Sequence, residues 1–535
     1  MSRDAPRSRR LRDNVVVALG TALSRITGLL RVLVLGWAVI PVVNGVGDGR
    51  LADAYNLANT TPNIIFELVL GGILSATLVP VFTKAFSEKD DEAVGAIVGT
   101  SIAVLAALTV IATAAAPLIV WAYTILRPDN GSDQYRSVAT TLAFMFLPQI
   151  FFYGVMSVAA ALLNAKRRFF AAAWAPVLTN TIVIIALVLA RRSAHGTPTL
   201  ETAKSSTRVL VLLGLGTTLG VVAMAVAMLP AIRRAGIRVR PHVNRHHPAV
   251  REVIRLSGWT VGYVIANQVA LAVVTALAQR DEGALATYTT MFIFFQLPHG
   301  LLAVTVMTTF TPELSAAASD EDELRFRIGL RQGLRIIIGL LLPAATTYAV
   351  LARPATSLSG RFASLEDAAP VLRGFAVGLV GFSSYLFILR GFYARRDTRT
   401  PFRLNVVENA LNVVLALVLV GRYGVTGLAW AYSIAYLVSA LLAWVSLSRH
   451  FGGGLRGDLL APVIGRAVAA ALVMGYALWL ARDLVGAETG WGGVARLIVA
   501  GTIGAVVYFG TLIGLGGLTA RTLTWPRTRP RPRRW

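Results

Sequence analysis

From Val15 to Gly517 the chain alternates between apolar stretches and short polar connections, and about fourteen stretches of roughly 20 residues follow one another. The hydrocarbon core of a bilayer is about 30 Å thick, so a helix of that length crosses it once. Backbone groups inside lipid must bond within their own segment, which makes each stretch a helix. A membrane barrel needs alternating segments of about ten residues, and none recur here. The pattern predicts an all-α polytopic membrane protein. Its spans fall near 15–40, 52–82, 95–125, 138–163, 172–190, 208–230, 252–279, 284–312, 328–352, 370–392, 402–420, 424–447, 463–481 and 492–517. Pro41, Pro62 and Pro80 interrupt the start of this series.

Composition strengthens that picture. Charged residues are 15% of the chain, against about 25% in soluble domains. There is no cysteine, which excludes disulfides, thiolate catalysis and cysteine metal sites. The basic start leads into an overlong apolar segment without a small-residue cleavage pattern, so it reads as a first span and not a cleaved signal peptide.

The net charge of +24 is unevenly spread. The alternate connections 1–14, 83–94, 164–171, 231–251, 313–331, 390–403 and 448–466, with the tail from Arg521, carry about two thirds of the 51 lysines and arginines. Cytoplasmic loops are enriched in these residues, so both termini are expected in the cytoplasm. Their basic ends then face anionic phospholipid headgroups, and nucleic-acid binding is not expected. The Arg/Pro-rich tail has the composition of an unstructured segment.

Residues 163–189 and 392–418 echo each other at a shift of 229. Ala165 falls on Ala394, Lys166 on Arg395 and Asn180 on Asn409. A weaker echo pairs 51–63 with 285–298. Six spans return to the starting side, so the two copies should be parallel repeats. The expected organisation is a basic N-terminus (1–14), a first lobe of six spans (15–230), a basic linker (231–251), a second lobe of six spans (252–447), two extra spans (448–520) and the tail (521–535).

Charges inside a bilayer are costly and mark cavities or partners. Arg25 and Arg31 lie in the first span, and Asp53 and Glu67 in or near the second. Arg255 and Arg335 lie near the ends of their spans. A guanidinium offers a donor fork to phosphate oxygens, so the first-span arginines suit a diphosphate. Alternatively Arg25 pairs with Asp53 or Glu67 and holds two helices together. His299, after Pro298, is a further cavity candidate, whereas His242, His246 and His247 sit in a basic loop and read as solvated. Glu408 stands among neutral residues with Asn405 and Asn409. These three either carry Na⁺ or H⁺ or simply bond between helices. GLGTTLG (214–220) lacks the context of a phosphate loop. The acidic run Asp320–Glu323 reads as a solvated loop or a helix start. No catalytic constellation, cofactor motif or metal cluster emerges, so the chain is not expected to be an enzyme.

The segments SRITGLLR, LADAYNLANTTPN, LVLGGILSATLVPVF, LPHGLLAVTVMTTFTPELS and GFYARRDTRTP, in this order and spacing, resemble the MurJ/MviN family. That family comprises proposed flippases for the peptidoglycan precursor lipid II, within the multidrug/oligosaccharidyl-lipid/polysaccharide exporter superfamily. The resemblance spans about residues 11–520. It implies a bacterial plasma-membrane protein of cell-wall biogenesis with a cavity between two lobes, in which Arg25 and Arg31 meet the lipid diphosphate. The chain departs from the family at Val32, where many members have Asp, at Phe66 and Glu67, where many have a basic pair, and at Ile293, where a cavity Arg is common.

The expected function is translocation of lipid II, or a related polyprenyl-diphosphate lipid, by alternating access. A cation-coupled drug or small-solute exporter of the same superfamily is the alternative, and it predicts acidic cavity residues. A third reading is a non-transporting scaffold for cell-wall synthesis proteins, in which the first-span arginines are dispensable.

Overall fold

The computed structural model describes residues 7–516, apart from 41, 44–45, 48, 67–77, 126–132, 167, 238, 282, 358–367, 396, 451–460 and 483–489. Glu67 and the Arg/Pro tail lie outside the described residues. The described chain is almost wholly helical. Its helices are α1 (Arg7–Val39), α2 (Arg50–Phe66), α3 (Val79–Glu88), α4 (Asp91–Ala114), α5 (Ala116–Thr124), α6 (Asp133–Phe146), α7 (Gln149–Ala165), α8 (Phe170–Ser193), α9 (Leu200–Ser205) and α10 (Thr207–Arg234). There follow α11 (Pro248–Ala278), α12 (Ala284–Pro298), α13 (Val304–Ser319), α14 (Glu323–Val350), α15 (Ala352–Ser357), α16 (Ala368–Ala394), α17 (Arg399–His450), α18 (Ala461–Ala481) and α19 (Gly490–Gly514). Two short strands between α1 and α2, Val42–Val43 and Val46–Gly47, pair antiparallel. Ten helical runs among the described residues are long and apolar enough to cross a bilayer. The protein is an all-α polytopic membrane protein.

Local chemistry explains where the expected spans break or shift. The span expected at 95–125 divides at Ala115, where Pro117 opens α5. The span at 138–163 divides at Leu147–Pro148. The run Asp320–Glu323 is a helix start. The Asp322 carboxylate accepts from Arg325 N at 3.0 Å, so α14 begins at Glu323, about five residues before the expected span. Within α17 the spans expected at 402–420 and 424–447 are two helices that meet at Gly424, whose φ of 53° is non-helical.

The chain divides into two compact units. Unit 1 comprises Met1–Thr290 with Ser359–Ala368 and Val420–Val425, and unit 2 comprises Met291–Leu358, Ala369–Leu419 and Thr426–Trp535. In unit 1, α8 lies along both α1 and α10, α7 packs on α10 and α4, and α2 packs on α6. One core cluster joins Phe82, Ile97, Leu105, Leu162 and Val253 from α3, α4, α7 and α11. The repeat in the sequence places α11 with the second copy, yet α11 packs here on α3, α4 and α5. The connection leading into it is pinned to α4. His242 N donates to Gly95 O at 3.2 Å, and Asn244 N to Thr100 Oγ1 at 3.2 Å. A Cβ at Gly95 would lie 2.5 Å from the Arg240 carbonyl oxygen, so only glycine allows this approach.

In unit 2, α14, α18 and α19 share a core of Ile338, Met474, Leu478, Tyr508 and Leu512. Glycines on α16 let the second half of α17 come close, and Ser433 Oγ donates to Gly374 O at 2.6 Å across that contact.

Candidate functional site

The first-span arginines face different ways. Ser24, Thr27 and Arg31 recur at helical spacing on α1, whereas Arg25 is turned about 120° from Arg31. The α8 side of α1 is fixed by Asn180, whose Nδ2 donates to Ser24 O at 3.2 Å and to Thr27 Oγ1 at 3.1 Å. Arg31 is half-buried, and its charge acts on the phenols of Tyr55 (α2) and Tyr153 (α7). Tyr55 is itself held by Thr217 of α10, with 2.7 Å between the two hydroxyl oxygens. Four helices of unit 1 therefore position a permanent cation beside two phenols. Arg25 is exposed and makes no ion pair with a described residue.

Asp53 is fully buried, and its carboxylate is committed elsewhere. It accepts from Ala286 N, in the first turn of α12, at 2.8 Å and from Gly283 N, just before α12 begins. A helix N-terminus attracts negative charge and leaves its amides without helical partners, so Asp53 of α2 caps α12 from outside. The approach is close. A Cβ at Gly49 would lie 2.5 Å from the Gly283 Cα, and Gly283 has φ of 76°. The proposed Arg25–Asp53 pair is absent, because the helix amides take the carboxylate.

In unit 2, Asn405, Glu408 and Asn409 are all buried on α17, with Asn412 one turn further on. Tyr436, later in the same run, hydrogen-bonds the Glu408 carboxyl. Asn409 Nδ2 donates to Asn405 O at 2.9 Å. Glu408 Oε2 and Asn412 Oδ1 find no donor among the described residues. Two buried oxygens without donors are chemically suited to a proton or a hard cation. His299 opens a π-helical turn, His299–Ala303. It is 6% exposed, its Nδ1 lies 2.8 Å from Ser383 Oγ, and its ring meets Phe382 edge-on at 4.7 Å. Phe382 in turn packs on Tyr436 at 4.9 Å. His299 is thus part of an aromatic shell that leads to Glu408.

The structure therefore gathers Arg31 with Tyr55, Tyr153 and Thr217, and Glu408 with Asn405, Asn409, Asn412 and Tyr436. It leaves Arg25 apart from the first group and Asp53 at a helix end. Sequence reasoning missed the tyrosines, Thr217 and Asn412. Tyr55 lies two residues from Asp53 inside LADAYNLANTTPN and Asn412 four beyond Glu408, so spacing could have flagged both. Thr217 and Tyr153 reach the site only through packing.

Residues 42–499 match the family description "Lipid II flippase MurJ". The chain is 29% identical to a probable lipid II flippase MurJ of Rhizobium meliloti over 524 residues, 92% of each chain. It is 27% identical to a probable lipid II flippase MurJ of Vibrio cholerae, covering 95% of this chain and 96% of that one. A solved structure described as lipid II flippase MurJ in an inward closed conformation superposes with a TM-score of 0.73 at 21% identity, covering 93% of this chain and all of the other. An inward-facing multidrug resistance transporter of the MATE family superposes with a TM-score of 0.65 at 15% identity, covering 80% of this chain and 95% of that one.

Proposed function

We propose that this chain, which belongs to the lipid II flippase MurJ family, moves lipid II from the inner to the outer leaflet of the bacterial plasma membrane by alternating access. The observation that carries the reading is Arg31. It is half-buried in a membrane helix, has no ion pair with a described residue and stands beside two neutral phenols. A guanidinium in that setting is suited to a diphosphate, which it can grip through two oxygens while the phenols add neutral hydrogen bonds. A cationic substrate would be repelled there, which disfavours the drug-exporter reading. Transport needs no covalent step from the protein, and no cofactor is proposed.

Glu408 is the proposed coupling group. Its buried carboxyl, with Tyr436 on one side and Asn412 Oδ1 close in sequence, is suited to exchange H⁺ or Na⁺ as the transport cycle turns. The lysine and arginine bias supports a cytoplasmic position for both termini and the 231–251 connection. There the basic ends meet anionic phospholipids, with cell-wall synthesis proteins as candidate neighbours. The 229-residue echo supports two parallel six-span repeats, with α11 opening the second.

The test is complementation in cells depleted of their own lipid II flippase. The wild-type chain should sustain wall synthesis, and Arg31→Ala at equal abundance should not. Failure of a well-inserted wild-type chain to sustain growth, in cells that an authentic flippase rescues, would overturn the lipid II reading.

A further inference from the structure

The span built from α6 and α7 is broken at Leu147–Pro148. Proline has no N–H and cannot continue the helical ladder. The bonds change step there, from Leu147 N to Ala143 O at 2.8 Å to Ile150 N to Leu147 O at 3.0 Å. In an unbroken helix the Met145 carbonyl would accept from the amide of Gln149. Here it accepts from the Thr218 hydroxyl of α10 at 2.6 Å. The same hydroxyl oxygen accepts from Gln149 Nε2 at 2.8 Å. Thr218 therefore ties the last turn of α6 to the first turn of α7 across the break, and both Thr218 and Gln149 are buried. A hydroxyl carries one proton. That proton goes to Met145, so the Gln149 amide turns its nitrogen to Thr218. Its Oε1 is left in the interior with no donor among the described residues.

Both sides of this break lead to the phenols beside Arg31. Phe146, the last residue of α6, meets the Tyr55 ring edge-on at 5.3 Å. Tyr153 lies one turn after Gln149 on the same side of α7. Thr217, which holds the Tyr55 hydroxyl, directly precedes Thr218. The helices are close here, since a Cβ at Gly214, one turn before Thr218, would collide with the Met145 sulfur. A neighbouring hydroxyl can satisfy the backbone freed at any break in a membrane helix. Thr218 does more, because the residues it joins stand next to the supports of both phenols. We propose that Thr218 is a positioning residue for the substrate diphosphate: it fixes α6 against α7, and with them the placement of Tyr55 and Tyr153 about Arg31. This role rests on the reading of Arg31 as the diphosphate site.

The test measures binding of farnesyl diphosphate, a short polyprenyl diphosphate, to the full-length protein in detergent. Thr218→Val keeps the shape but removes the hydroxyl, and should weaken binding about five- to ten-fold. Thr218→Ser should restore it to within about two-fold of wild type. Gln149→Met cuts the tie on the α7 side alone and leaves the Met145 carbonyl satisfied. It should weaken binding about three-fold, and it serves as the probe if Thr218→Val does not fold. With both phenols removed, in Tyr55→Phe/Tyr153→Phe, Thr218→Val or Gln149→Met should add less than about two-fold, because no phenol is left to place. A merely structural hydroxyl would cost the same in either background. Three results would overturn the role of Thr218 alone. One is wild-type binding by the folded Thr218→Val or Gln149→Met protein while Arg31→Ala binds nothing. Another is failure of Thr218→Ser to restore binding. The last is an undiminished loss in the phenol-free background. Normal binding by a folded Arg31→Ala protein would instead overturn the Arg31 reading, and this role with it.

Discussion

Arg31 in unit 1 is half-buried beside two phenols, whereas Glu408 in unit 2 is 1% exposed beside one phenol and a row of amides. The difference follows from what each group does when water is withdrawn. A guanidinium keeps its charge at any cell pH, so its site must stay open enough to hydrate the cation or to receive an anion. A carboxyl can shed its charge by taking a proton, so it tolerates full burial. Unit 1 thus holds a permanent charge at a place suited to a charged substrate. Unit 2 holds a switchable one suited to a small ion. A third strategy appears at Asp53, whose buried carboxylate is satisfied by the amides that open α12.

The contrast predicts how each site fails. The largest effect is expected at Arg31. Arg31→Ala should reduce lipid II translocation at least about 100-fold, and Arg31→Lys about ten-fold, because lysine keeps the charge but not the fork. Reconstituted flipping at matched protein abundance measures both, and a lysine variant at wild-type rate would mean that charge alone suffices.

Removing the Asp53 carboxylate should act on stability before transport. Asp53→Ala leaves two buried amides without an acceptor and should cost about 2–3 kcal/mol. Asp53→Asn, with one acceptor oxygen and no charge, should fall between. Detergent-phase thermal melts check the order, and a melt unchanged in Asp53→Ala would remove the cap from the account.

Glu408→Gln keeps size and hydrogen bonding but cannot take up a proton or a cation's charge. The gradient-driven part of transport should drop about ten-fold with the fold intact. Equal rates with and without a gradient, in wild type as in the variant, would make Glu408 a structural hydrogen-bonding residue and blunt the comparison with Arg31.

Tyr55→Phe deletes the hydroxyl that meets Thr217 and should cost about 1 kcal/mol, read as a small melt shift together with a weakened hold on substrate. The smallest effect is expected at Arg25. It is exposed and has no ion pair with a described residue, so Arg25→Ala should leave abundance and melting within about 0.5 kcal/mol of wild type. A marked fall in abundance would restore the structural pairing that the position of Asp53 argues against.

By itself the sequence determined the class of protein, the rough placement of its apolar stretches, and the residues at which charge enters the membrane. Those properties follow from one-dimensional quantities: the length of apolar stretches against bilayer thickness, the spacing of basic loops, and motifs such as SRITGLLR and GFYARRDTRTP read in order. Span edges were less legible, since they depend on capping. Asp322 moves the start of α14 back to Glu323, and Pro117 opens a new helix inside the stretch expected at 95–125. The partners of the candidate residues were not legible at all. Periodicity could show that Arg25 and Arg31 lie on different faces of α1, but not which face meets Tyr55 and Tyr153. Asp53 finds its donors 230 and 233 residues away, at the backbone N–H groups of Gly283 and Ala286. The basic connection 231–251 reads as a free linker until Gly95 is seen to admit its backbone. Hydrophobic patterning is a local property, fixed by each stretch against lipid. Which buried charge meets an amide, a phenol or a donorless amide oxygen depends on helices packed across hundreds of residues, and only the tertiary structure decides it.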